Sequence, residues 1–90
     1  MKSKKKKPGQ RNPEPENLAE LKGKLGARIR ELRKQNGFDN YEHFAYEHDI
    51  SRAQYGRYES GEENITFATL VRLTNAFGIS LKDFFSEGFN

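Results

Sequence analysis

The chain contains no cysteine. Neither a disulfide nor a thiolate metal site can staple it, which suits a reducing compartment. Ninety residues form one domain at most, and a core of that size is marginal without such help. Long apolar runs are also missing. None exceeds three residues, so no segment is expected to span a membrane. The lysines at the N-terminus have no apolar stretch behind them, so no secretory signal is expected. These absences lead us to expect a soluble, cytoplasmic protein.

The formal net charge is +3, but its distribution matters more than its sum. Residues 1–12 hold six positive charges (Lys2, Lys4, Lys5, Lys6, Lys7 and Arg11) and no acid. Taking those six away leaves ten Lys/Arg against thirteen Asp/Glu, so residues 13–90 carry −3. Composition alone therefore does not establish nucleic-acid binding. The stretch 1–16 is lysine-rich and then proline-rich, with no apolar residue between Met1 and Leu18. It cannot bury enough surface to offset ordering entropy, and it reads as a flexible arm ahead of a domain over 17–90.

Within that domain, Leu18, Leu21, Leu25, Ile29 and Leu32 recur at helical spacing and share one face. Asn17 is placed to cap this first helix, with Glu20 at the reciprocal position of a capping box. Gly37 is its natural stop. Gly23 and Gly26 weaken its first half, which places the start of regular helix near Lys24. A second helix fits Asn40–His48, with Phe44 and Ala45 inward. A third fits Ser51–Glu59, capped by Ser51, with Tyr55 and Tyr58 inward. A fourth fits Thr66–Phe77, burying Phe67, Leu70, Val71, Leu73 and Phe77, and Gly78 ends it. Ser80 begins a fifth, with Asp83 completing a capping box and Leu81, Phe84 and Phe85 as its apolar positions. No segment alternates with period two for long. The fold class expected is all-α, with five helices.

Two short helices joined around Asp49-Ile50-Ser51 cross at a large angle and let the second project. A helix of that diameter fits the major groove of B-DNA. Three stretches carry a family likeness: LGARIRELRKQNGF (Leu25–Phe38), FAYEHDISRAQYGRYESG (Phe44–Gly61) and ITFATLVRLTNAFGISLKDFF (Ile65–Phe85). In this order and spacing they resemble the Cro/repressor-like helix-turn-helix proteins, or XRE family. The resemblance implies a compact five-helix lambda-repressor-like domain and a sequence-specific transcriptional regulator, more often a repressor, that inserts helix 51–59 into the major groove of duplex DNA. Two departures stand out. Asp49 occupies the turn position where the family has glycine, a place needing a positive φ that Asp tolerates better than most residues. Asn40 and Tyr41 stand where the family has a Ser/Thr-Gln pair, with one extra residue between Gly37 and Phe44.

Carried over by position, the resemblance puts Arg52, Ala53 and Gln54 at base edges, and Arg57 at either a base or the flanking phosphate. Arginine suits guanine, Gln54 adenine and Ala53 a thymine methyl group. Tyr41, Ser51, Gly56 and Asn64 are expected near phosphates, with Ser51 foremost a cap. Two readings of Lys4, Lys5, Lys6 and Lys7 stand: a solubilising end, or an arm that tracks phosphates. Arg33 and Glu59 are implied to form a structural ion pair that holds the reading helix at its angle.

Other classes fit less well. His43 and His48 lie five apart and do not share a helix face as metal ligands would, and His43 with Glu47 has the spacing of a surface pair. No phosphate loop, cysteine nucleophile or paired-carboxylate pocket is present, so no enzyme, cofactor or metal is expected. The rival reading is a protein-binding regulatory module, such as an antitoxin on the same fold. The family reads two half-sites as a dimer, and Phe84, Phe85 and Phe89 at the C-terminal end are the surface expected to form a homodimer, in solution or on DNA alone.

Overall fold

The computed structural model describes residues 14–89, and five helices are ordered along them. They are α1 (Leu18–Gln35), α2 (Tyr41–Glu47), α3 (Arg52–Ser60), α4 (Phe67–Phe77) and α5 (Leu81–Phe84). No strand occurs among the described residues. Lys4, Lys5, Lys6 and Lys7, with most of the expected 1–16 arm, lie outside them.

Short polar side chains start four of the helices. Asn40, Ser51, Thr66 and Ser80 each accept a hydrogen bond from a backbone N–H two or three residues on. Each cap satisfies a donor that the helix leaves orphaned and is worth about 1 kcal/mol. Gly37, Gly61 and Gly78 take left-handed backbone just beyond α1, α3 and α4, with φ of 90°, 79° and 73°. The segments after them turn away sharply, which keeps the links short.

α1 departs from its expected start in two ways. The Asn17 side chain makes no capping bond, and its φ of −96° and ψ of 10° are not the extended backbone that a cap requires. No capping box with Glu20 forms. Instead the Leu18 N–H donates to the Pro15 carbonyl at 3.1 Å, and Glu20 pairs with Lys24 at 3.5 Å. Helix also runs from Leu18 rather than from near Lys24, because the end of α3 packs against this stretch of α1. A Cβ on Gly26 would meet the carbonyl oxygens of Tyr58 and Glu59, and one on Gly61 would come within 3.1 Å of the Gly23 Cα. The end of α3 rests directly on the α1 backbone there, and that contact overrides the low helix propensity of glycine.

The core gathers Ile29 and Leu32 from α1, Phe44 and Ala45 from α2, and Tyr55 and Tyr58 from α3. Leu73 and Phe77 of α4 and Phe84 of α5 complete it. Phe44 is its centre, with ring centroids 5.1 Å from Tyr55 and 5.3 Å from Phe77. On α4 the buried stripe is Leu73, Thr74 and Phe77, with Leu70 and Val71 half-buried. The buried Thr74 hydroxyl is satisfied by donating to the Val71 carbonyl at 2.9 Å. Phe67, expected inward, is 67% exposed. Leu21, on the apolar face of α1, is likewise exposed.

α5 is a single turn, too short to hold itself. Arg28 of α1 secures it. Its Nε donates to the Phe84 carbonyl at 2.7 Å and its Nη2 to the Asp83 carbonyl at 2.9 Å, while the guanidinium lies 5.9 Å from the Phe84 ring centroid. The Phe84 carbonyl is one that a helix C-terminus leaves unpaired, while the Asp83 carbonyl also accepts from the Ser86 N–H and Oγ. Phe84 itself is completely buried. Phe84 therefore closes the core and offers no surface to a second subunit, which corrects the expectation for that residue. Phe85 and Phe89 remain near the surface, 5.0 Å apart, beside Leu18, Leu21, Leu25 and Leu70 in an apolar groove of about 290 Å³.

Candidate nucleic-acid interface

The link between α2 and α3 is residues 48–51. The Ile50 N–H donates to the Ala45 carbonyl at 2.8 Å, and the Asp49 N–H to the Tyr46 carbonyl at 3.2 Å. Asp49 takes a φ of 58°, and among the described residues no other non-glycine has a positive φ. The left-handed position anticipated from the sequence is present, occupied by a side chain in place of glycine. Ser51 Oγ then accepts from the Gln54 N–H at 3.3 Å and starts α3.

At about 100° per residue, α3 turns Tyr55, Tyr58 and Glu59 toward the body. The opposite arc runs from Arg52 through Gly56, Ser60 and Ala53 to Arg57. Arg52, Ala53, Arg57 and Ser60 are exposed, and Gly56 is half-buried. The centre of the arc thus carries only small residues, with an arginine on each flank about 140° apart. Such a ridge can approach another surface closely while both guanidinium groups reach around it.

Gly56 has a second neighbour. A Cβ there would lie 3.1–3.3 Å from ring and hydroxyl atoms of Tyr41. The glycine admits the tyrosine, whose ring also stacks on Tyr55 at 6.2 Å. Tyr41, Glu42, Ser51, Arg52 and Ala53 together line a shallow concavity between the starts of α2 and α3. Asn64 lies elsewhere, on the rim of the apolar groove beside Lys22.

Behind the ridge, Arg33 and Glu59 form a bidentate pair. Nε donates to Oε2 at 2.7 Å and Nη2 to Oε1 at 3.0 Å, and each side chain is only 5% exposed. Arg33 Nη1 also donates to the Phe38 carbonyl at 2.8 Å, which ties down the turn after α1. Arg30 adds a longer contact to Glu59 at 3.7 Å. The Glu59 carboxylate raises the pKa of Arg33 further above its ordinary value, and burial, then the same carboxylate, push the Tyr55 phenol well up. Both groups keep one protonation state throughout the physiological range.

One participant carries no sequence signal. Glu63, in the loop after α3, accepts from Arg57 Nε at 3.1 Å through Oε1 and from Gln54 Nε2 at 3.0 Å through Oε2. Arg57 Nη2 donates to Gln54 Oε1 at 2.9 Å, closing a ring of three side chains. Gln54 Nε2 has a further contact with the Tyr58 hydroxyl at 3.4 Å. The bonds from Gln54, then those from Arg57, hold the Glu63 carboxyl below its usual range. Arg52 makes no side-chain hydrogen bond or ion pair among the described residues.

Residues 26–87 match the helix-turn-helix domain family. The chain belongs to that family. This helix-turn-helix protein is of the Cro/repressor-like, DNA-binding regulatory kind. It is similar to the control protein C.MunI of a Mycoplasma species, with 29% identity over 70 residues that cover 78% of this chain and 95% of the relative. Its fold is similar to the crystal structure of the restriction-modification controller protein C.AhdI from Aeromonas hydrophila. The TM-score is 0.66 at 29% identity, over 73% of this chain and 98% of the other. The five-helix, all-α architecture expected from the sequence is thus the architecture found.

Proposed function

We propose that this helix-turn-helix protein is a sequence-specific transcriptional regulator of the controller type, which inserts α3 into the major groove of duplex DNA. The observation that carries this reading is the exposed arc of α3. Small residues at Ala53, Gly56 and Ser60 are flanked by Arg52 and Arg57, and the whole helix is braced from behind by the Arg33–Glu59 pair. Arg52 and Arg57 read bases, with about 1–3 kcal/mol of discrimination for each bidentate arginine–guanine pair. Ala53 meets a thymine methyl group. Ser51 and the Tyr41 hydroxyl, at the concavity between α2 and α3, take a phosphate. The covering of Gly56 by Tyr41 assigns close approach there to the phenol. Asn64, which lines the apolar groove and not that concavity, serves an outer phosphate.

The lysines of the arm supply sequence-independent attraction, which a body of −3 needs. The protein is not an enzyme on this reading, and the relatives' names point to control of restriction-modification genes, with repression as the simplest mode. Phe85 and Phe89, beside the apolar groove, are the surface through which two copies would present two reading helices to a paired site.

Selection from random duplexes tests this directly. A paired motif with half-sites about one helical turn apart is the expected result. A chain that enriches no sequence, and shifts no duplex at low or moderate salt, overturns it in favour of a protein-binding regulator on the same fold.

A further inference from the structure

Four groups meet at the flank of α3 that carries Arg57, and three of them close a hydrogen-bonded ring. Glu63 uses one carboxylate oxygen on Arg57 Nε and the other on Gln54 Nε2, while Arg57 Nη2 donates to Gln54 Oε1. A carboxamide has two N–H donors and one carbonyl acceptor. In Gln54 the nitrogen already serves Glu63 and the Tyr58 hydroxyl, and the oxygen serves Arg57. Reading adenine needs a donor and an acceptor of that amide together; the oxygen keeps a second lone pair, but both N–H donors are engaged. Arg57 differs. The ring engages its Nε and one donor of Nη2, which leaves Nη1 free to face outward.

We propose that Glu63 is a specificity-determining positioning residue, which with Gln54 fixes the guanidinium of Arg57 for one base pair. The inference rests on the DNA-binding reading given above and deepens it. A free arginine side chain samples many rotamers and reaches phosphates as easily as bases. Held along its Nε edge by a carboxylate, this one keeps a single plane and presents its remaining fork in one direction. The carboxylate adds a second constraint: an acid beside the guanidinium repels a phosphate drawn to the same spot, so Arg57 is steered to a base edge. Arg52, with no such brace, is free to adapt. The two flanks of the ridge therefore differ in stringency.

The test uses the full-length chain and the duplex obtained by selection, with each base pair of one half-site changed in turn. Glu63→Gln keeps shape and removes the carboxylate. It should reduce discrimination about tenfold at the base pair that Arg57→Ala also relaxes. Affinity for non-cognate duplexes should rise, because a negative charge near the phosphates is gone. Gln54→Ala should relax that same base pair, and combining it with Glu63→Gln should add little. Glu62→Gln removes an equal charge from the same loop and should leave discrimination intact, since Glu62 makes no side-chain bond among the described residues. In the free protein, the Arg57 Nε–H resonance should be protected from exchange and lose that protection in Glu63→Gln.

Several results overturn the proposal. Discrimination unaltered by Glu63→Gln, or altered equally by Glu62→Gln, reduces Glu63 to a surface charge. Uniform weakening on every sequence with a lowered melting temperature makes it structural. Relaxation of a different base pair by Gln54→Ala makes that residue a reader in its own right. Wild-type protein that binds no duplex removes the DNA-binding reading itself, which is a separate failure from an indifferent Glu63.

Discussion

Gly23 and Gly26 lie one turn apart on α1 and should respond to alanine with opposite signs. At Gly23 an added Cβ meets nothing within 4 Å. Gly23→Ala should therefore gain only the helix propensity difference, stabilising the domain by about 0.5–1 kcal/mol. At Gly26 the same methyl group would sit 2.7 Å from the Tyr58 carbonyl oxygen and 2.8 Å from the Glu59 carbonyl carbon, where ordinary contact begins at 3.4 Å. Both neighbours are backbone, so neither can rotate away. The Glu59 carbonyl oxygen is nearer still, so α3 would have to lift by about 1 Å, more than the 0.7 Å shortfall at the Tyr58 oxygen. Overpacking costs about 1–3 kcal/mol, and backbone neighbours that cannot rotate away put this case at about 2–3, against the same gain in propensity of about 1. The net is a destabilisation of about 1–2 kcal/mol, and the two variants should differ by about 2–3. Urea unfolding followed by far-ultraviolet circular dichroism measures both, with equal m-values expected. A Gly26→Ala protein as stable as wild type would show that backbone contact does not set the distance between α1 and α3. The account of why glycine stands there would then be wrong.

Three further outcomes follow from the same geometry. Glu59→Gln strips the charge from a pair whose side chains are each 5% exposed, leaves Arg33 buried beside a neutral amide, and should destabilise by about 3–5 kcal/mol. Chemical denaturation should show that effect before any DNA measurement is interpreted. Asp49→Gly removes a side chain from backbone at φ 58°, a strain of about 1–2 kcal/mol; after the added flexibility of the unfolded chain, a gain of about 0.5–1 should remain in thermal melts. Deleting residues 2–11 should weaken binding to all duplexes alike and flatten the dependence of log K on log salt by about 0.9 for each phosphate that the arm had neutralised. An unchanged slope would exclude the arm from binding.

Much of the architecture was legible because its signals are local. The caps at Asn40, Ser51, Thr66 and Ser80, and the glycines at 37, 61 and 78, punctuate the chain with chemistry that needs only near neighbours. The positive φ of Asp49 was legible from its place between two short helices. What escaped depends on contacts across the fold. Gly26 looks like a weak point in a helix until the end of α3 is seen lying on it. Asn17 looks like a cap, yet the backbone enters α1 from a turn at Pro15 and never takes the extended shape that a cap needs. Phe67 has the right spacing to be buried, but spacing says nothing about whether another helix covers that end. At the interface, Arg52 and Arg57 are evident from register on α3. Glu63 is not, because a loop acid six residues beyond Arg57 has no periodicity to betray it.

The role of α1 reaches beyond support. α3 is fastened to it by Arg33 and by the Gly26 contact, and the C-terminal turn is fastened to it by Arg28. Both attachments are made to one unbroken rod, with no hinge between them. If two chains meet through the Phe85 and Phe89 end, the distance between their α3 helices is fixed by α1 before any DNA is encountered. The molecule then acts as a calliper of set width, and an operator whose half-sites are respaced by a single base pair must itself twist or bend to be read.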